Sequence, residues 1–363
     1  MELKDCSILM FERTMKLGGS SKVVLQMCEI LKPYVKNIVV CSTGGVNVEY
    51  LEQIGIKHYI IKDISDLKNL PSNIKCISKI IENEEINIVH THHRMAALYG
   101  QLLSRKYHIM KVATVHGEFY DKKIFTKIAY KKTNVIACGE KVKENLCQVY
   151  GIPSSYITVI RNAVKKEEYY EEIDILEELK KNNIFTFCYI GRLSEEKGLE
   201  YLIKSIPKLS DKIRGFRVIV VGTGLYKEEM ISQAEKLGVS DKLIFLGHRN
   251  DAQNVIKQID VVVLPSLTEG FPLTPMEAFA NCKTVIATDV GGTTEIVENM
   301  QNGILVKSKD EDALCDAMLK LYNDKVLLMK LDENALKTYN EKFSYDTFKE
   351  NIIRFYFDKK IGG

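Results

Sequence analysis

The sequence predicts two doubly wound α/β domains in tandem, and three observations carry that expectation. The chain has 363 residues, more than one hydrophobic core usually holds. Short apolar runs alternate with amphipathic stretches along most of its length, the pattern of parallel sheets covered by helices on both faces. A charged, Tyr-rich stretch at 165–183 interrupts that alternation, so a boundary falls there.

In the first half, apolar runs of strand length lie at 7–11, 37–41, 57–61, 86–90, 111–115, 135–138 and 157–160. Between them, 21–31 and 95–103 repeat apolar residues at spacings of three and four, as a half-buried helix does. The second series has strand candidates at 185–190, 217–221, 242–246, 261–264 and 284–287, and 345–357 reads as an amphipathic helix. The expected division is a domain at 1–164, a helix-containing linker at 165–183, a second domain at 184–342, and a helix within 343–363 that returns to the first domain. Doubly wound sheets bind ligands beyond the carboxyl ends of their strands, so two such domains facing each other would frame a cleft.

Composition narrows the class. Met1-Glu2-Leu3-Lys4-Asp5 lacks the positive end and apolar run of a secretory signal. No uninterrupted apolar stretch reaches the roughly 18 residues that span a bilayer. Nine scattered cysteines without a Cys-x-x-Cys pair read as reduced thiols, so a cytoplasmic location is expected. The net charge of +3 divides into +9 for residues 1–165 and −6 for the remainder, so different partners are expected for the two halves. No nucleic-acid partner is expected.

Three glycine-bearing turns follow strand candidates in the second half. Gly191-Arg192-Leu193-Ser194-Glu195-Glu196-Lys197-Gly198 sets an Arg and a Lys five residues apart, where both could reach one diphosphate. A solvated turn before a helix would read the same way. Gly222-Thr223-Gly224 adds little, because tight strand-to-helix packing explains it equally well. In the third turn, Glu269-Gly270-Phe271-Pro272-Leu273-Thr274-Pro275-Met276-Glu277 enters a helix at Pro275. Its free amides and positive dipole end suit a phosphate, and the two carboxylates could bind sugar hydroxyls. Glu277 is equally explained as a first-turn acid, but Glu269 is unexpected in so apolar a loop.

Taken together, these segments resemble the signature of GT-B retaining glycosyltransferases of family four. The Glu269/Glu277 spacing, the Gly191–Gly198 turn, Phe245-Leu246-Gly247 and Asp289-Val290-Gly291-Gly292-Thr293-Thr294-Glu295 carry the likeness. In the first half it continues through Gly18-Gly19, Val89-His90-Thr91-His92, Thr114-Val115-His116-Gly117 and Arg161-Asn162-Ala163-Val164. The last of these departs from the family's frequent Pro-Asn-Gly-Val. The resemblance implies a metal-independent transfer, with retention, from a nucleotide-diphosphate sugar, a uridine nucleotide by family habit, to a glycan, a lipid-linked saccharide or another acceptor such as a small cytosolic molecule. It implies that Arg192 and Lys197 grip the diphosphate, that Glu277 binds the ribose, and that Glu269 and His116 lie close to the transferred sugar. Gly18 and Gly19 would offer amides to a phosphate. The stretch Gly270-Phe271-Pro272-Leu273-Thr274 would border the donor, and Gly247-His248-Arg249 would face the base. His92, His93 and Asn162 are acceptor-side candidates. A nucleotide-sugar epimerase and a non-catalytic nucleotide-sugar binder remain as alternatives on the same architecture.

No cofactor and no metal are expected. The one Asp-x-Asp spacing, Asp310-Glu311-Asp312, precedes an apolar helix start and reads as a cap. The histidines at 90, 92, 93 and 116 have no acid among them and no diagnostic spacing for zinc. Between Lys122 and Lys132, Ile124, Phe125 and Ile128 share one helical face, and Lys123, Lys127 and Lys131 share another. This suggests docking on an anionic membrane, with peripheral association at its inner face, or else a core-packed helix with a basic outer side.

Overall fold

Seven of the apolar runs become strands of one parallel sheet: β1 (Ser7–Phe11), β2 (Asn37–Ser42), β3 (Lys57–Ile60), β4 (Ile88–Thr91), β5 (Met110–Val115), β6 (Asn134–Ala137) and β7 (Ile157–Val159). A second parallel sheet holds β8 (Phe185–Ile190), β9 (Phe216–Val221), β10 (Leu243–Gly247), β11 (Val261–Leu264), β12 (Val285–Thr288) and β13 (Gly303–Val306). The computed structural model describes residues 2–358. They fall into two compact units, one running to Asn162 and resuming at Asp346, the other Ala163–Tyr345.

The first sheet runs β3-β2-β1-β4-β5-β6-β7, and the second β10-β9-β8-β11-β12-β13. In each, the strand order reverses beside the first strand: between β1 and β4, and between β8 and β11. A crevice opens at such a switch point because successive helices leave for opposite faces. Strands covered on both faces must be apolar throughout. β1 and β11 accordingly have no exposed residue. The core of the first unit gathers Phe11, Ile77, Val89 and Tyr99. That of the second gathers Phe187, Leu202, Phe216 and Met318.

The structure revises three boundaries. β13 was not foreseen: its four residues follow buried Asn302, whose Oδ1 accepts from the Glu298 N–H at 2.8 Å and sets the turn before it. β4 begins at Ile88 because the Ile86 N–H is still bound to the Ile81 carbonyl at the close of the preceding helix. The stretch 165–183 is part of the second unit. The N–H groups of Glu167, Glu171 and Ile173 donate to the side chains of Gln253, Asn254 and Gln258, and the helix Asp174–Lys181 follows. Side-chain anchoring of extended backbone leaves no periodicity to read. The C-terminal helix Tyr345–Asp358 buries Phe348, Ile352, Phe355 and Tyr356, and from Asp346 it counts with the first unit.

Asp332 is half-buried and accepts the Thr284 N–H at 2.6 Å. Burial pushes its carboxyl up to about 6. A raised value in the folded state favours the protonated form, so this group's contribution to stability is full at low pH and lost as pH rises through about 6. Asp332→Asn keeps an acceptor for Thr284 without the charge. It is expected to stabilise the chain by about 1 kcal/mol at neutral pH, with the gain fading below about pH 6. Urea unfolding at the two pH values measures this.

Candidate active site

In the first unit, parallel register brings together residues far apart in sequence. Glu12 is the first residue past β1 and His92 the first past β4, and the His92 N–H donates to the Phe11 carbonyl at 2.9 Å. His116 follows β5. Glu12 is 3% exposed and His92 4%. Glu12 Oε1 accepts from the Arg13 N–H at 2.8 Å, whereas Oε2 has no partner. His92 Nδ1 shares a hydrogen bond with His116 Nε2 at 3.2 Å, and His92 Nε2 is buried without one. These groups line a cavity of about 440 Å³ that also takes in His93, Arg94 and Lys122. Burial pushes Glu12 up to about 8 and His116 down to about 4, so the charged forms of both are disfavoured.

His90 forms the layer beneath. It is fully buried, stacks on His92 with ring centroids 4.4 Å apart, and bonds Thr114 Oγ1 at 2.8 Å and the Tyr356 hydroxyl at 2.6 Å. Burial holds it down at about 3, neutral at any ordinary pH. Tyr356→Phe would leave one ring nitrogen buried and unpaired. It is expected to lower stability by about 1–3 kcal/mol in thermal unfolding.

The remaining first-unit candidates separate. His93 caps the helix Arg94–Leu103, its Nδ1 accepting from the Met95 N–H at 3.1 Å. Asn162 is buried away from the cavity lining. Gly18 caps the helix Gly19–Leu31 in an extended conformation, and a Cβ there would meet nothing within 4 Å, so its amide stays approachable. In the helix Lys123–Ala129, Thr126 and Ala129 face inward, while Ile124 is 78% exposed and Ile128 49%. Phe125 turns instead toward the cavity, 5.9 Å from the Arg94 guanidinium. The apolar face expected of all three residues is therefore split.

In the second unit, the loops past β8 and β11 carry the predicted donor-binding residues. Lys197 Nζ lies 2.7 Å from Glu269 Oε1, which also accepts from Ser266 Oγ at 2.7 Å. Arg192 pairs instead with Glu196 at 2.6 Å, its side chain 69% exposed. Both cations thus have carboxylate partners. The exposed Arg192 pair is worth at most about 1 kcal/mol, so its guanidinium is easily redirected. Glu277 is buried in the first turn of Thr274–Ala280, and Phe271 and Pro272 are buried before it. Arg249 is held by Asp251 through two bonds of 2.9 and 2.6 Å, and His248 is exposed beside Asn250.

Glycine contacts lock these loops together. A Cβ on Gly291, whose φ is +47°, would lie 1.8 Å from the Glu269 carbonyl oxygen, and one on Gly292 would lie 2.0 Å from that of Gly270. The Gly222 N–H donates to the Gly247 carbonyl at 2.7 Å and links the ends of β9 and β10. The Asp-x-Asp segment is a cap: Asp310 accepts the Ala313 N–H at 2.8 Å, and Asp312 pairs with Lys208. Glu12 and Arg94 are the functional candidates that sequence reasoning missed. Glu12 carried a usable signal, its place one residue past the first strand.

Comparison with known proteins agrees with this architecture. The family model described as "Glycosyltransferase Family 4" matches residues 17–168, and "Glycosyl transferases group 1" matches 168–338. A UDP-Gal:alpha-D-GlcNAc-diphosphoundecaprenol alpha-1,3-galactosyltransferase of Escherichia coli is 29% identical over 337 residues, 86% of each chain. The capsular polysaccharide biosynthesis glycosyltransferase CapM of Staphylococcus aureus is 26% identical, covering 82% of this chain and 83% of its own. Among solved structures, Anabaena HepE in complex with UDP superposes with a TM-score of 0.84 at 22% identity, over 96% of this chain and 98% of its own.

Proposed function

The chain belongs to the glycosyl transferases group 1, a glycosyltransferase family of GT-B architecture, and from that premise we propose that it transfers a sugar, with retention and without a catalytic metal, from a uridine-diphosphate sugar to a lipid-linked or growing polysaccharide acceptor. The observation that carries this reading is the Lys197–Glu269 pair, seated past the carboxyl ends of β8 and β11 with Arg192 on the same turn as Lys197. The uridine nucleotide is supported by the names of the E. coli relative and of the HepE complexes with UDP and UDP-glucose, and the lipid-linked acceptor by the former.

In this reading Lys197 and Arg192 supply fixed positive charge to the departing diphosphate, where charge grows as the glycosidic bond breaks. Those two cations take the part a divalent ion plays elsewhere. Glu277 holds the ribose, and Glu269 and His116 contact the transferred sugar. The base faces backbone at Gly247-His248-Arg249, because the Arg249 guanidinium is already held by Asp251. Acceptor attack comes from the face the diphosphate leaves.

The test offers UDP-sugars with an undecaprenyl-diphosphate saccharide. Release of UDP only when acceptor is present, unchanged by a chelator, with an α-linked product by NMR, supports the proposal. Conversion of the donor without acceptor would instead indicate an epimerase.

Attachment to a membrane surface is part of the same proposal. Among the described residues no helix is long and apolar enough to cross a bilayer. Exposed Ile124 and Ile128, beside exposed Lys123 and Lys127, suit shallow insertion among anionic headgroups. Vesicles containing phosphatidylglycerol should sediment the protein, with binding weakened by salt and by Ile124→Ser. Equal sedimentation with neutral vesicles would contradict it.

A further inference from the structure

The geometry points to a divalent transition-metal site of the zinc class in the first unit, formed by Glu12, His92 and His116. Among the described residues, one ligand atom from each of these three lies within 4.8 Å of the others. The facing ring nitrogens of His92 and His116 are 3.2 Å apart. Two nitrogens each about 2.1 Å from a tetrahedral zinc lie at nearly that separation, so an ion can replace the proton they now share.

Unsatisfied valence in the cluster is the second observation. Glu12 Oε2 is buried beside His92 and His116 and has no partner among the protein atoms. A buried polar atom left unpaired is costly, so native folds supply it with a partner from protein, water or a bound ion. Glu12 Oε1 is occupied by the Arg13 N–H, which orients the carboxylate and leaves the second oxygen for an ion.

The surroundings supply what such a site needs. His90 packs under His92 and is itself fixed by Thr114 and Tyr356, so the ligand layer is held from behind. The cavity of about 440 Å³ gives an entry path and room for water as a fourth ligand. Arg94, which lines this cavity, is paired with Asp121 at 2.7 and 3.2 Å. Two imidazoles with one carboxylate favour Zn²⁺, Co²⁺ or Ni²⁺ over Mg²⁺, which prefers an all-oxygen shell. All three ligands belong to the first unit, and His116 is the residue that the transfer reading also assigns to the sugar, so the zinc test reads binding and not activity.

Calorimetric titration of the full chain with ZnCl₂ and with MgCl₂ tests this. One Zn²⁺ per chain should bind and Mg²⁺ should not, with affinity falling about tenfold or more in Glu12→Gln and in His116→Ala. Cys282→Ser should keep the affinity, since that exposed thiol is the obvious competitor. Co²⁺ should give visible d–d bands without a thiolate charge-transfer band. Circular dichroism confirms that each variant folds; His116 is half-buried at the cavity wall, so its variant carries the test if Glu12→Gln does not fold. Absence of zinc binding, binding that persists in the folded variants, or a thiolate-type cobalt spectrum would overturn the inference. Protection of the three residues by saccharide hydroxyls in a chain that ignores zinc would overturn it as well.

Discussion

Glu269→Gln is expected to lower kcat by about 10²–10³-fold, the usual loss when one fixed electrostatic group is removed from a reacting centre. The carboxylate accepts from Lys197 and from Ser266, so the amide would break a half-buried ion pair as well as the proposed contact with the sugar. UDP affinity should change far less than kcat, because Lys197 remains and gains freedom to turn toward the diphosphate. Arg192→Ala should show the reverse balance and weaken UDP by about 1.5–3 kcal/mol, with a smaller fall in kcat. Steady-state kinetics alongside UDP titration separates the two. Equal losses of affinity would contradict this division of roles.

Gly291→Ala is the second large effect. The residue lies in the left-handed region at φ +47°, and its Cβ would stand 1.8 Å from the Glu269 carbonyl oxygen. Backbone on backbone has no flexible end to yield, so the Glu269 loop must move or the fold must loosen. We expect a stability loss of at least about 2 kcal/mol and a kcat/KM falling with it as Glu269 leaves its place. Gly18→Ala is the comparison: its backbone is extended and a Cβ meets nothing within 4 Å, so thermal stability should hardly change. Matching denaturation curves for the two variants would refute this account of the loop.

The sheets were legible because strands buried on both faces must be continuously apolar, as in Val261–Leu264. The second-unit loops were legible because glycines, paired cations and acids stand close in sequence there. Glu12 was not, since it reaches His92 only through the register of β1 with β4, across 80 positions. The alternation of apolar residues also misjudged Phe125. Helical spacing puts it near Ile124 and Ile128, but Arg94, itself bound to Asp121, draws the ring toward the cavity. Partnerships of that kind depend on tertiary placement and leave no periodic trace.

The most direct test of the central claim, that the loops past β8 and β11 hold the donor diphosphate, is hydrogen exchange of the full chain with and without UDP in the presence of a chelator. The account predicts saturable protection concentrated at 191–198 and 269–274. Absence of protection in those segments at saturating UDP, or protection that appears only when a divalent metal is added, would contradict it.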